Sequence, residues 1–241
     1  MAENLKLQYF TPGLGPGEVI CFEECETELL ACLQDSWGEC PSTLWDLVIF
    51  CATTCQQERA VGFVERLMEL SDNPDHRALC LIMLALLMEE MEDYDSAKGY
   101  YEQVLELEEL EENTLYYLYN SFGCLLNKLG QFEEAKPHLE RAISIDLDRA
   151  HGHKDLGIAC EGLGRLEEAV ECYFVATQLA PHDATSLVHL ESLLSSHPEL
   201  FVKGLNLPSM SNPSSFVGVS SSFSCVFIAA SGNCSFLFIL L

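Results

Sequence analysis

The sequence predicts an all-α solenoid of about four stacked helical hairpins, closed at its C-terminal end by a capping helix. Three observations lead to this fold class. A 34-residue pattern occurs twice between residues 116 and 183, its apolar spacing continues upstream, and glycines stand at the predicted turns of both copies. Apolar residues make up 49% of the 241-residue chain, which suffices for a continuous core between hairpins.

The third and fourth predicted hairpins, 116–149 and 150–183, match position by position. Small residues stand where two helices would pack closely, and a glycine stands where each first helix would end. The matched positions are Phe122-Gly123 with Leu156-Gly157, Leu129-Gly130 with Leu163-Gly164, Phe132 with Leu166, Ala135 with Ala169, Leu139 with Tyr173, Ala142 with Ala176, and Ile145 with Leu179. Because one hairpin cannot bury its apolar stripe alone, such repetition predicts stacking.

The pattern continues upstream in a second hairpin at 78–115 and a degenerate first hairpin at 41–77, which lacks the glycine signature. The second hairpin lies 38 residues before the third, and its four extra residues fall in a Glu-rich stretch at 107–113. Since Glu and Leu favour helix, this stretch is predicted to lengthen the second helix of that hairpin by about one turn.

Residues 184–196, with four leucines on one side, are predicted to form the capping helix. Residues 1–40 are interpreted as an N-terminal segment with a short helix at 24–33, which is a candidate cap for the other end. Residues 197–241 are predicted to form a disordered tail, rich in Ser and Phe and uncharged after Lys203.

These repeated residues resemble the tetratricopeptide repeat, in which an aromatic residue, Leu-Gly, a second aromatic, Ala, a third aromatic and a closing Pro follow one another. Each copy departs from this pattern at one position. The third copy has the first aromatic, Tyr119, but ends with Leu147 in place of the closing Pro. The fourth copy has the closing Pro181, but His153 replaces the first aromatic. The resemblance implies a right-handed α-α superhelix that acts as a protein-protein interaction scaffold or adaptor and is not an enzyme.

In this family the first helix of each hairpin lines a concave groove, so the resemblance implies a partner-binding stripe on those helices. The stripe is apolar toward the N-terminus and polar toward the other end, which suits a peptide with one apolar half. Its members are Trp45, Ile49, Ile82, Leu86, Tyr117, Asn120, Asn127, Lys128, His151 and Lys154. The alternative for the four apolar members is ordinary core packing beneath the N-terminal segment.

Some members of the family hold the terminal carboxylate of a chaperone with Lys and Asn one helical turn apart. Here Lys154 is followed after one turn by Ile158, and Asn120 is followed by Cys124. The sequence therefore does not support binding of a chaperone tail.

Composition and motifs argue against nucleic-acid binding, catalysis and a metal or cofactor site. Twelve Lys and Arg against 38 Asp and Glu give a net charge of −26, which would repel nucleic acid. The twelve cysteines contain no CxxC and the first residues do not resemble a secretory signal, so we expect reduced thiols in the cytoplasm. No histidine motif or carboxylate pair suggests catalysis, a metal or a cofactor. A Cys-dependent metal or redox protein stays open as an alternative.

The tail admits three interpretations. About 20 mostly apolar residues can cross a bilayer, which would make the chain a membrane-tethered adaptor on an intracellular membrane. A glycolipid-anchor signal has a similar outline. The tail is also typical of translated non-coding sequence that replaces a longer native C-terminus, because Phe, Ser, Leu, Val, Ile and Cys share T-rich codons, and this interpretation is favoured. The serines that dilute the apolar run argue against the membrane anchor.

Overall fold

The computed structural model describes residue 27, residues 29–32 and residues 40–202. The chain divides into two compact units, and the division falls between Leu125 and Leu126. We call their described parts the N-terminal unit, up to residue 125, and the C-terminal unit, 126–202. The helix predicted at 24–33 is described at 27 and 29–32, where the backbone is helical; most of the N-terminal segment and residues 203–241 lie outside the described residues.

Residues 40–202 contain helices and no strand, which confirms the predicted fold class. The N-terminal unit holds α1 (Pro41–Thr53), α2 (Gln57–Glu69), α3 (Pro74–Glu90), α4 (Tyr94–Leu105) and most of α5 (Glu112–Lys128). The C-terminal unit holds α6 (Phe132–Ile145), α7 (Ala150–Gly162), α8 (Leu166–Leu179), α9 (Ala184–Ser196) and the short α10 (Glu199–Val202). The predicted capping segment is thus helical throughout, and α10 lies in the segment predicted to be a disordered tail.

Four hairpin turns share one backbone geometry. A residue with φ between 57° and 72° follows the first helix of each hairpin, and these residues are Cys55, Glu92, Gly130 and Gly164. The next residue donates its N–H to a carbonyl five positions earlier, at 2.8 to 2.9 Å in all four turns. This is the Schellman end of a helix, which satisfies carbonyls that the helix itself leaves without partners. The predicted role of Gly130 and Gly164 is confirmed.

Side-chain caps fix where several helices begin. Asn73 accepts the N–H of Asp75 at 2.8 Å, and Pro74 occupies the first position of α3, where a missing N–H costs nothing. Asp183 caps α9 by accepting the N–H of Thr185 at 2.9 Å. These caps satisfy donors that have no partner within the first turn of a helix.

The prediction that residues 107–113 extend the second helix is wrong. α4 ends at Leu105, Glu109 takes the left-handed conformation with φ 60°, and α5 begins at Glu112. The N–H of Glu111 donates to Asp75 Oδ1 at 2.9 Å, which holds the segment as a loop. Successive carboxylates at the end of α4 would also repel one another and the negative end of the helix dipole.

The cores differ between the units. In the N-terminal unit, α3 is buried at every position from Leu81 to Leu87, as expected for a helix that is apolar all round. In the C-terminal unit, the core joins α7, α8 and α9 with α10 through Cys160, Ala169, Val170, Tyr173, Leu190, Leu193, Leu194 and Leu200. Gly157 permits this packing, because a Cβ there would lie 2.6 Å from Cε1 of Tyr173.

Candidate partner-binding surfaces

The predicted apolar stripe lies on α1 and α3 of the N-terminal unit. Trp45 and Ile49 are half-buried on α1. Ile82 and Leu86 are only 1% and 6% exposed on α3. Trp45 and Ile49 thus keep part of their surface exposed to solvent, whereas contact with the two α3 side chains would require their covering groups to move.

Tyr117 and Asn120 lie on α5 within the N-terminal unit. The Tyr117 ring meets Tyr116 edge to face, with centroids 5.9 Å apart, and remains half-buried. Asn120 is 1% exposed. Tyr117 is thus more exposed to solvent than Asn120.

A buried tyrosine joins the two helices of the second hairpin. Tyr101 Oη donates to Glu89 Oε1 at 2.8 Å, and its ring stacks on Phe122 with centroids 5.4 Å apart. Tyr101 is fully buried and Glu89 is 1% exposed. Burial, followed by the neighbouring Glu89 carboxyl, raises the pKa of Tyr101, so the hydroxyl stays protonated and donates. This pair stabilises the hairpin and is not a surface for a partner.

In the C-terminal unit, Asn127 at the end of α5 is linked to α7. Its Nδ2 donates to the backbone carbonyl of Asp155 at 2.8 Å. Asn127 is 9% exposed, and its Oδ1 has no hydrogen-bond partner within the described part of the chain. Lys154 Nζ lies 3.6 Å from Oδ1 of the buried Asp155, so the residue that binds Asn127 through its main chain also pairs with a cation through its side chain.

His151 and Asp183 complete the same polar cluster. Burial and, after it, the Lys154 cation lower the pKa of His151, so the imidazole is neutral at pH 7. For Asp183, burial acts to raise the pKa, but the hydrogen bond from Thr185 and the charges of Lys154 and His151 outweigh it and lower the value. We call Asn127, His151, Lys154, Asp155 and Asp183 the polar cluster.

Three of the predicted residues, Asn127, His151 and Lys154, are therefore brought together. Lys128 is exposed at the last position of α5. Asp155 and Asp183 were not among the residues predicted from the sequence. The position of Asp183 directly before a predicted helix is a capping signal that could have placed it, whereas Asp155 shows no signal of its own.

Within 40–202, no group of three or more His, Cys, Asp or Glu side chains is arranged to hold a metal ion. Among the helices described, none combines the length and apolarity needed to cross a bilayer. The tail, on which the anchor interpretation rests, lies outside the described residues.

Two segments of this chain match known repeats in sequence. Models of the tetratricopeptide repeat match residues 80–107 and 116–149. Protein O-mannosyl-transferase Tmtc3 of Drosophila melanogaster is 30% identical over 90 residues, which span 37% of this chain and 10% of that protein.

Solved structures share the fold at low sequence identity. MamA, from residue 41 to its end, from Desulfovibrio magneticus RS-1 has a TM-score of 0.54 and 21% identity, covering 69% of this chain and 94% of that one. YrrB, described as a tetratricopeptide repeat protein with an unusual peptide-binding site, has a TM-score of 0.50 and 19% identity, covering 75% and 92%. At such identities the likeness shows the fold alone.

Proposed function

We propose that this chain is an interaction scaffold whose polar cluster binds a peptide segment of a partner protein. The premise is that the chain belongs to the tetratricopeptide repeat family. The repeat matches support an interaction scaffold, and this fold is typically non-catalytic. The peptide-binding site named for YrrB supports a peptide as the kind of partner. The resemblance supplies the expectation that first helices carry the contacts. Four of the five residues of the polar cluster lie on the first helices α5 and α7, and Asp183 lies directly before α9.

The observation that carries the proposal is the amide of Asn127. Its nitrogen is engaged by Asp155, so the amide is held in one orientation, and its buried oxygen is left to accept a hydrogen bond. A buried acceptor without a donor costs about 1–3 kcal/mol. Because this oxygen is itself buried, the groups that cover it must move aside before a backbone N–H of an extended peptide can supply that donor.

The charges of the cluster define the segment that fits. Lys154 faces the carboxylates of Asp155 and Asp183, while His151 is neutral. One cation and two carboxylates give the cluster a net charge of −1, within a chain that carries −26 in total. A peptide with polar, uncharged side chains matches this surface better than a run of acidic residues, which the surrounding carboxylates would repel.

The N-terminal unit offers a separate contact of different character. Trp45 and Ile49 lie one turn apart on α1 and are half-buried, so an apolar side chain of a partner can pack on both. We include them in the proposal as an apolar contact.

Lys154→Glu is the test. Quantitative affinity capture with the full chain should recover the partner about tenfold less from the variant, because a third carboxylate replaces the cation next to Asp155 and Asp183. Arg141→Glu is the matched control, since this exposed residue on α6 makes the same charge change outside the cluster. Equal recovery from wild type and Lys154→Glu, with thermal unfolding unchanged, would show that this surface does not bind.

A membrane-tethered adaptor is the second candidate, favoured by the absence of charged residues after Lys203 in the sequence. Deleting residues 204–241 and measuring the membrane-bound fraction of the protein separates the two. If the tail anchors the chain, the protein that lacks residues 204–241 should no longer be found in the membrane fraction. An unchanged distribution would remove this candidate and leave the polar cluster untouched.

A further inference from the structure

We propose that Val188 on α9 binds an aliphatic side chain of the same peptide segment that the polar cluster binds, and so helps to decide which peptides the chain accepts. This role rests on the proposed function, because the polar cluster and Val188 would contact one peptide. Three features of the C-terminal unit support it. These are the spacing of its helices, the exposure of Val188 and the low charge of the face around that residue.

The helices α9 and α10 continue the spacing of the hairpin before them. α7 (Ala150–Gly162) and α9 (Ala184–Ser196) both have 13 residues, and they begin 34 residues apart. Leu200 follows Leu166, the first residue of α8, by the same 34 residues, and it is 2% exposed in the core that joins α7, α8 and α9. α9 is therefore the equivalent of α7 in a fifth repeat, of which α10 forms the start of the second helix.

Val188 is the equivalent of Lys154, since the two residues stand at the same position of α9 and α7. Lys154 belongs to the polar cluster, with Nζ 3.6 Å from Oδ1 of Asp155. Val188 is 60% exposed, so an apolar side chain meets solvent where the preceding repeat has a cation. A peptide that contacts Lys154 and continues along the stack meets Val188 next.

The polar cluster and Val188 lie on helices that share one core. Ile158, one turn after Lys154, packs against the core cluster that contains Leu190 of α9. Asp183, a member of the polar cluster, caps α9 by accepting the N–H of Thr185 at 2.9 Å. Val188 follows this cap by roughly 7 Å along the helix, a distance that a few residues of an extended peptide span.

The face around Val188 carries little charge. Its neighbours one turn away include the uncharged Thr185 and Ser192, and Glu191 is the one charged residue among the seven that α9 exposes. α8 exposes three glutamates, which are Glu167, Glu168 and Glu171. Because fewer carboxylates lose water there, an aliphatic side chain of a partner packs on α9 at a lower cost than on α8.

These contacts define the kind of peptide. It is extended and uncharged, with polar side chains where it meets Lys154 and Asp155 and an aliphatic side chain where it meets Val188. The packing of that side chain on Val188 should contribute about tenfold in affinity.

Selection of peptides on the full chain tests this role of Val188. The probe is a phage-displayed library of short random peptides, selected in parallel on the wild type, on Val188→Glu and on Val175→Glu. Val175→Glu is the matched control, because Val175 is 37% exposed on α8 and takes the same change outside the α9 face. The wild type and the control should enrich uncharged peptides with an aliphatic residue at one fixed position. Val188→Glu should lose that preference and should bind the synthetic wild-type peptide about tenfold more weakly in fluorescence anisotropy.

The results separate this role from the proposed function. If Val188→Glu binds the selected peptides as the wild type does, while Lys154→Glu binds them more weakly, Val188 has no role and the polar cluster keeps its own. If Lys154→Glu also binds them unchanged, or if the wild type enriches no peptide, both proposals are wrong. Equal weakening by Val188→Glu and Val175→Glu would likewise overturn the role of Val188. Val188→Thr, which keeps the shape of valine and adds a hydroxyl, decides the same question if thermal unfolding shows that Val188→Glu is not folded.

Discussion

The hairpins α3/α4 and α7/α8 make the same hydrogen bond in different surroundings. Tyr101 donates to Glu89 in the N-terminal unit and Tyr173 donates to Glu161 in the C-terminal unit, both at 2.8 Å and both across twelve residues of sequence. Glu89 is 1% exposed, whereas Glu161 is exposed. The repeat register fixes the geometry of the contact, and burial decides how much the contact stabilises.

The turns of the two units differ in a second way. The hairpins of the N-terminal unit turn at Cys55 and Glu92, while those of the C-terminal unit turn at Gly130 and Gly164. Left-handed backbone costs an L-residue about 1–2 kcal/mol, and glycine avoids that cost. The same turn is therefore formed in both units, and the first two hairpins form it with strain that the last two lack.

The largest expected effect concerns the buried tyrosine. Tyr101→Phe should lower the free energy of unfolding by about 2–3 kcal/mol, since it removes a hydrogen bond from a carboxyl group that stays buried. Tyr173→Phe, the matched change at the exposed carboxyl, should cost about 0.5–1 kcal/mol. Denaturant unfolding measures both. Equal losses would show that burial does not distinguish the two hairpins.

A methyl group added to a helix should change the free energy of unfolding in opposite directions in the two units. Gly157→Ala should destabilise the chain by about 2 kcal/mol, because its Cβ would overlap the Tyr173 ring at 2.6 Å. Gly99→Ala on α4 should stabilise by about 0.5–1 kcal/mol, since nothing lies within 4 Å and alanine favours helix. Thermal melts of the two variants check the signs. A stabilised Gly157→Ala would mean that Tyr173 can move aside.

Exchanging the turn residues sharpens the second difference. Glu92→Gly should raise the free energy of unfolding by about 0.5–1 kcal/mol through relief of left-handed strain. Gly130→Ala should lower it by about 1 kcal/mol through introduction of that strain. Hydrogen exchange at the flanking helix ends locates each change. Destabilisation of the second hairpin by Glu92→Gly would show that the left-handed turn at this position is not strained.

The smallest effect is a pH dependence in the C-terminal unit. Because the pKa of His151 is lowered on folding, the unfolded chain binds a proton that the folded chain resists as the pH falls below 6.5. This histidine's contribution to stability is therefore present above the unfolded pKa and is lost as the pH falls through the folded value. The wild-type chain should lose stability from pH 7 to pH 5, and His151→Gln should lose less. A parallel decline in both would assign the dependence to other groups.

The repeat spacing predicted the fold because small residues and glycines leave a direct record of close packing and of turns. Gly130, Gly164 and the capping helix could be placed in this way. The loop before α5 could not, since the capture of the Glu111 N–H by Asp75 joins residues far apart in the sequence. Ile82 and Leu86 show the same limit at the candidate site. Helical spacing assigns a residue to a face, but exposure depends on what packs against that face.

The hydrogen bond from Asn127 to Asp155 ends on a main-chain carbonyl, which every amino acid possesses. Substitution at position 155 can therefore change the charge that a binding partner meets without removing the hydrogen bond between Asn127 and α7. Such a surface can change its preference for the charge of a bound peptide while the distance between Asn127 and α7 is retained.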